Sequence, residues 1–184
     1  MSHGSWRAVS LVVLWLSMLP AMGDGATREL ALEALPHGLW AVTVRVAGSA
    51  RPWRFLLDTG STHTLLSTDT ARRAGLDVRP GRQVATPGGL SPAGESTLVG
   101  LDLGGRLLPP LRVLVVDLVA IGGSARVDGI LGMDAIGESR LHLDLVGGRL
   151  SFPEASEPSR QRGGQPVPAR IVDGRVLVDA HVGG

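Results

Sequence analysis

The chain of 184 residues contains no cysteine. That single absence removes disulfide frameworks, thiolate metal sites, cysteine nucleophiles and lipid attachment through cysteine. Lysine is absent as well, every basic side chain being arginine. A phosphate-binding Walker loop, a Schiff-base lysine and a serine–lysine dyad are excluded with it. Aromatic residues make up only 3%, so a core must be assembled from Leu, Val, Ile and Ala. Neither sign of charge is in excess. The net charge of +1 argues against a dedicated nucleic-acid binder in spite of an isoelectric point near 9.0. Long apolar runs are missing too: Leu11 to Leu19 falls short of the ~20 residues that a transmembrane helix needs. With Arg7 before it and the small residues of Ala21-Met22-Gly23 after it, this run makes residues 1–23 a signal peptide, or a membrane anchor if it stays uncleaved. The mature chain is therefore expected to be exported, periplasmic or secreted.

Hydrophobic residues amount to 43%, enough to fill a core, and 26 glycines with 12 prolines break the chain into short pieces. Thr27 to Leu35 reads as a short helical lead-in. Trp40 to Val46 alternates with period two and ends at Gly48, the pattern of a half-buried strand. Trp53 to Leu57 is a second strand whose run Phe55-Leu56-Leu57 predicts burial on both faces. Leu65-Leu66 resumes it after an Asp-Thr-Gly turn, and Ser67 caps a short helix from Thr68 to Ala74 closed by Gly75. Gln83 to Thr86 with the tip Pro87-Gly88-Gly89 forms a hairpin. Ser96 to Leu103 and Leu107 to Leu118 are strands joined at Gly104-Gly105, and Val127 to Gly132 is a turn followed by a buried strand. Met133 to Ile136 starts a short helix. A last hairpin runs from Leu141 to Leu145 and from Arg149 to Phe152. The whole predicts a mostly β domain over residues 27–153, a small barrel or sandwich with one or two short helices. Residues 154–170, rich in Pro, Gly and Arg, read as a linker. Residues 171–184 form a terminal strand. At a constant offset its apolar positions and flanking glycines fall on those of Gly38 to Gly48, so the tail looks like the start of a second repeat.

Two stretches carry chemistry. Asp58-Thr59-Gly60-Ser61 follows a fully apolar strand, and Asp128-Gly129-Ile130-Leu131-Gly132-Met133 lies downstream in the same domain. A lone Asp-Thr-Gly is an ordinary turn sequence, but the pair, with a glycine-tipped hairpin between its members, resembles the bacterial relatives of retropepsins and pepsins over roughly residues 36 to 153. The resemblance implies a retropepsin-like acid protease barrel with a flap at Pro87, Gly88 and Gly89. It implies that Asp58 is the catalytic carboxylate, that Thr59 ties the two catalytic loops together, and that Gly60 lets the backbone approach the carboxylate. Ser61 would hydrogen-bond the outer carboxylate oxygen, and Ile130, Leu131 and Gly132 would pack beneath the turn.

The chemistry of such proteases needs two carboxylates, because like charges ~3 Å apart share one proton, so that one activates water while the other polarises the carbonyl. This chain has one Asp-Thr-Gly. Asp128 and Asp134 read as turn and N-cap residues. The second carboxylate is therefore expected from another subunit, as a homodimer, or from a second tandem repeat. The function implied is an aspartic endopeptidase acting on peptides or proteins; the alternative is a catalytically silent domain serving as a peptide-binding or assembly module. No cofactor is expected. The five histidines, His3, His37, His63, His142 and His181, have no metal-binding spacing, so no metal is expected either. His63 alone lies close to Asp58.

Overall fold

The computed structural model describes residues 28–86, 89–119, 127–137, 139–153 and 165–181. The expected signal segment, the flap-tip residues Pro87 and Gly88, and the linker residues 154–164 lie outside them. No helix among the described residues is long and apolar enough to cross a membrane.

The first element is a strand, β1 (Arg28–Ala34), and not the expected helical lead-in. Its Glu, Leu and Ala are good helix formers, yet propensity yields to tertiary pairing. Leu30 and Leu32 point to one side of an extended chain, and β1 pairs along both edges. A 3₁₀ turn at Pro36–Gly38 leads to β2 (Trp40–Val46), in which Ala41, Val42, Val44 and Val46 are buried while Thr43 and Arg45 are exposed. β3 (Trp53–Leu57) follows. Phe55 is fully buried and stacks on Trp53 at 6.3 Å, but Leu56 and Leu57 are half-buried, so the two-sided burial read from the apolar run holds only in part. Next come β4 (Leu65–Ser67) and α1 (Thr68–Arg73). The Ser67 hydroxyl accepts from Thr70 N at 3.0 Å, and Gly75 turns the chain with φ of 65°. Both ends of this helix were legible in the sequence.

β5 (Arg79–Thr86) and β6 (Gly89–Leu98) form the hairpin in which a flap was expected, with Thr86 Oγ1 donating to Gly89 O at 2.8 Å. The strands expected from 96 to 103 and from 107 to 118 are each divided. β7 (Leu101–Leu103) is set off from β6 at Gly100, whose φ is 75°, and β8 (Arg106–Leu107) is set off from β9 (Leu111–Val116) by Pro109-Pro110, which cannot donate ladder bonds. β10 (Gly129–Leu131), α2 (Met133–Ile136), β11 (His142–Asp144) and β12 (Arg149–Phe152) complete the domain.

One sheet runs β11–β12–β1–β2–β3–β10–β4–β9–β6–β5, with β7 on β2 and β8 on β7. Its centre positions the site. β10 is parallel to β3 and antiparallel to β4. Since β3 enters and β4 leaves the 58–64 loop, β10 is threaded beneath that loop. Phe55, Leu66, Leu98, Leu131 and Leu150 fill the main core; each contributes about 1.5–3 kcal/mol by its removal from water.

The tail holds a separate two-stranded hairpin, β13 (Ala169–Val172) and β14 (Arg175–Val178), exposed throughout. The expected linker therefore ends earlier than residue 170, and the expected terminal strand is one arm of a hairpin. Its turn repeats the first one. Among the described residues only His37 and Asp173 are non-glycine with positive φ, at 64° and 49°, and each precedes a glycine at 72° or 74°. These two pairs coincide at the same offset that aligns the strands after them.

Candidate active site

The loop from Asp58 to Thr64 is fixed by the strand beneath it. Asp58 N donates to Leu131 O at 3.1 Å and Met133 N donates to Ser61 O at 2.8 Å, so the exit of β10 is clipped to the loop at two points. Within the turn, Ser61 N donates to Asp58 O at 3.2 Å and Gly60 N donates to Asp58 Oδ1 at 2.8 Å. A backbone donor thus orients the half-buried carboxylate. A Cβ on residue 60 would lie 3.2 Å from the same oxygen, tighter than ordinary contact. Close approach of backbone to carboxylate is the use of glycine here.

Two glycines of the second motif are demanded by packing. A Cβ at Gly129 would meet Leu65 O at 2.3 Å and the Phe55 ring at 2.6 Å, and one at Gly132 would meet the His63 carbonyl at 2.5 Å. Ile130 is half-buried and Leu131 fully buried directly under the turn.

Ser61 departs from expectation. Its hydroxyl donates to His63 O at 2.8 Å instead of turning to Asp58, because the loop curls back and presents that carbonyl two residues on. Thr59 stands exposed at the tip of the turn, where its hydroxyl has no partner among the described residues.

Two carboxylates that read as local residues are long-range anchors. Asp134 is not an N-cap: Gly132 holds that position, and the Asp134 carboxylate accepts from Thr64 N at 2.9 Å and Thr64 Oγ1 at 2.7 Å. Thr64, fully buried, in turn accepts from Gly132 N at 3.2 Å. Asp128 is 5% exposed and takes a bidentate pair from Arg51 at 2.6 and 2.9 Å. Arg54 N at 2.9 Å, Thr70 Oγ1 at 3.1 Å and Arg73 at 3.0 Å also donate to it. Burial alone would push its carboxyl up. The hydrogen bonds from Arg51, Arg54 N and Thr70, with the Arg51 charge, outweigh that and hold it below the usual carboxylate value. These partners join β3, α1 and the β10 turn behind the active loop. The sequence carried no local signal for them, since Arg51 and Asp128 are 77 residues apart.

Asp58 opens into a cleft of about 390 Å³ lined also by His63, Arg82, Val84, Ile130 and Arg175. It is the one acid among the described residues that line it. His63 Nδ1 lies 2.8 Å from Thr62 Oγ1, and its Nε2 lies 3.3 Å from Arg82. Arg82 also reaches Glu95 at 3.8 Å. A larger cavity of about 800 Å³ is lined by Arg51, Arg54, Arg72 and Arg73, but their charges are committed to Asp128, Glu33 and Asp69. The cleft at Asp58 is the candidate site: it sets one oriented carboxylate between β5 and the strand beneath the loop.

The sequence model described as aspartyl protease matches residues 42–135, just over half of the chain. A search among curated proteins finds no match. Among solved structures, a retropepsin-like aspartic protease from Rickettsia conorii superposes with a TM-score of 0.52 at 20% identity, covering 71% of this chain and 96% of that one. It shares the fold. The retroviral protease-like domain of Ddi1 from Leishmania major (TM-score 0.42, 21% identity, 61% of this chain and 90% of that one) and the EIAV protease complexed with the inhibitor HBY-793 (0.39, 20%, 63% and 88%) superpose less well.

Proposed function

Because this chain belongs to the aspartyl protease family, we propose that it is an aspartic endopeptidase in which Asp58 supplies one carboxylate of a two-aspartate site. The observation that carries this reading is the Asp58 carboxylate itself, oriented by Gly60 N and standing as the one acid among the described residues that line its cleft. The other carboxylate comes from the equivalent turn of a second copy of the domain, either another subunit or a second repeat. A symmetric pair would set Asp58 beside its counterpart across a two-fold axis.

In such a pair the two carboxylates share one proton. Their titration belongs to the pair and not to either residue. The ionised member takes a proton from water as the oxygen attacks the peptide carbonyl. The protonated member gives its proton to the carbonyl oxygen, and a tetrahedral gem-diol forms. Return of a proton to the amide nitrogen releases the amine and leaves the acid. Aspartic proteases are a standard instance of shared-proton carboxylates. The peptide lies extended beneath the β5–β6 hairpin, held by strand-like backbone bonds. With residues 1–23 read as a signal peptide or an uncleaved anchor, the activity is proposed to lie outside the cytoplasm, free or tethered.

The test is cleavage of an unfolded protein at acidic pH. The wild-type mature chain cleaves it and Asp58→Ala does not. Cleavage that survives the substitution contradicts the assignment, and a folded wild-type chain that binds peptide but never cleaves is a peptide-binding or assembly module.

A further inference from the structure

Resting on the reading of the Asp58 cleft as a peptide-binding site, we propose that the C-terminal hairpin is a wall of that cleft and that Arg175 makes it a subsite for an acidic side chain of the substrate. The hairpin is brought to the catalytic loop by its turn. A Cβ built on Gly174 would lie 3.7 Å from Thr62 Cγ2, ordinary contact distance, so the Asp173-Gly174 turn rests on the loop that carries Asp58. Arg175, the first residue of β14, then lines the cleft together with Asp58.

The turn geometry gives the hairpin a defined shape. Asp173 and Gly174 both adopt positive φ, the pattern of a tight two-residue connection, and four register pairs from Val172↔Arg175 to Ala169↔Val178 extend it. Arg175 therefore starts from a backbone fixed by pairing and not from a loose tail.

The charges around the cleft favour an anion. Arg82 and Arg175 come from two separate elements, and Asp58 is the one acid among the described lining residues. Arg82 is partly committed, to His63 and Glu95. Arg175 has no hydrogen bond or ion pair among the described residues, while the hairpin's other arginine, Arg170, pairs with Asp179 at 3.2 Å. A guanidinium left open at the edge of a peptide cleft presents the forked donors that match a carboxylate. The substrate class it selects is a peptide with Glu or Asp one or a few residues from the scissile bond.

The experiment measures binding, so that it does not depend on turnover. The full mature chain carrying Asp58→Asn is titrated into fluorescent peptides that differ only in Glu against Gln at single positions, with fluorescence anisotropy as readout. At one position the Glu peptide is expected to bind about tenfold tighter, the effect of one charge-assisted hydrogen bond. Arg175→Gln is expected to remove that preference while leaving the affinity for the Gln peptide in place. Arg175→Glu is expected to favour a Lys peptide instead. Equal binding of Glu and Gln peptides at every position, or a preference that survives Arg175→Gln, overturns the subsite and leaves the endopeptidase reading standing. Cleavage by the wild-type chain with no binding of either peptide also overturns the subsite alone. No binding and no cleavage overturn both.

Discussion

Thr64 and Asp134 meet across 70 residues of sequence, the carboxylate of Asp134 taking both the backbone N–H and the hydroxyl of a fully buried threonine. This pair links the end of the Asp58 loop to α2, and through Gly132 N to the strand beneath the turn. Asp134→Ala leaves two buried donors without an acceptor, at a cost of about 1–3 kcal/mol for each unsatisfied group. Urea unfolding of Asp134→Ala is expected to show a loss of roughly 3 kcal/mol, and Asp134→Asn, which keeps one acceptor, a smaller one. An unchanged midpoint in Asp134→Ala would show that the loop does not depend on this anchor.

Gly129 tests the threading of β10. Alanine there places a methyl group against Leu65 O and the Phe55 ring, neither of which is the free end of a flexible chain. Overpacking of this kind costs typically 1–3 kcal/mol and occasionally more. Gly129→Ala is expected at or above the top of that range in thermal unfolding, whereas Gly48→Ala, with open space around it, pays only for its positive φ. Equal losses in the two variants would contradict the packing described.

Asp128 sets an acid limb to stability. Its carboxyl lies below the ordinary value in the folded chain, so the unfolded chain binds the proton more readily. The stabilisation is present above the unfolded value of about 3.9 and is lost as pH falls from there through the depressed folded value. Urea midpoints between pH 6 and pH 3 are expected to drop in the wild-type chain and to drop less in Asp128→Asn. The same substitution removes the charge that faces Arg51 and Arg73, and is expected to cost roughly 3 kcal/mol at pH 6. A wild-type midpoint that is flat across this range would refute the role given to Asp128.

Much of the fold was legible where local chemistry decides. Ser67 and Gly75 bracket α1 because a cap and a left-handed stop are written in single residues, and β2 shows its alternation openly. β1 was misread because Glu29, Leu30, Ala31 and Leu32 favour a helix until β12 and β2 supply partners on both edges. Asp58 and Gly60 were legible through their motif, and the geometry adds the Gly60 N–H that orients the carboxylate. Ser61 was assigned by resemblance, and Asp128 and Asp134 by their neighbours in sequence, but their partners are settled by how the loop curls and which strands cross. Arg175 gave no signal at all, since its place in the cleft depends on where the hairpin turn comes to rest.

Asp58 is proposed as half of a proton-sharing pair, and the decisive measurement is the pH dependence of peptide hydrolysis. A bell-shaped profile of kcat/KM is expected on the acid side of neutrality, its two limbs belonging to the pair, with no hydrolysis by a folded Asp58→Asn variant at any pH. Hydrolysis by Asp58→Asn within about tenfold of wild type anywhere in the profile, a difference of only about 1.4 kcal/mol in transition-state stabilisation, would contradict it.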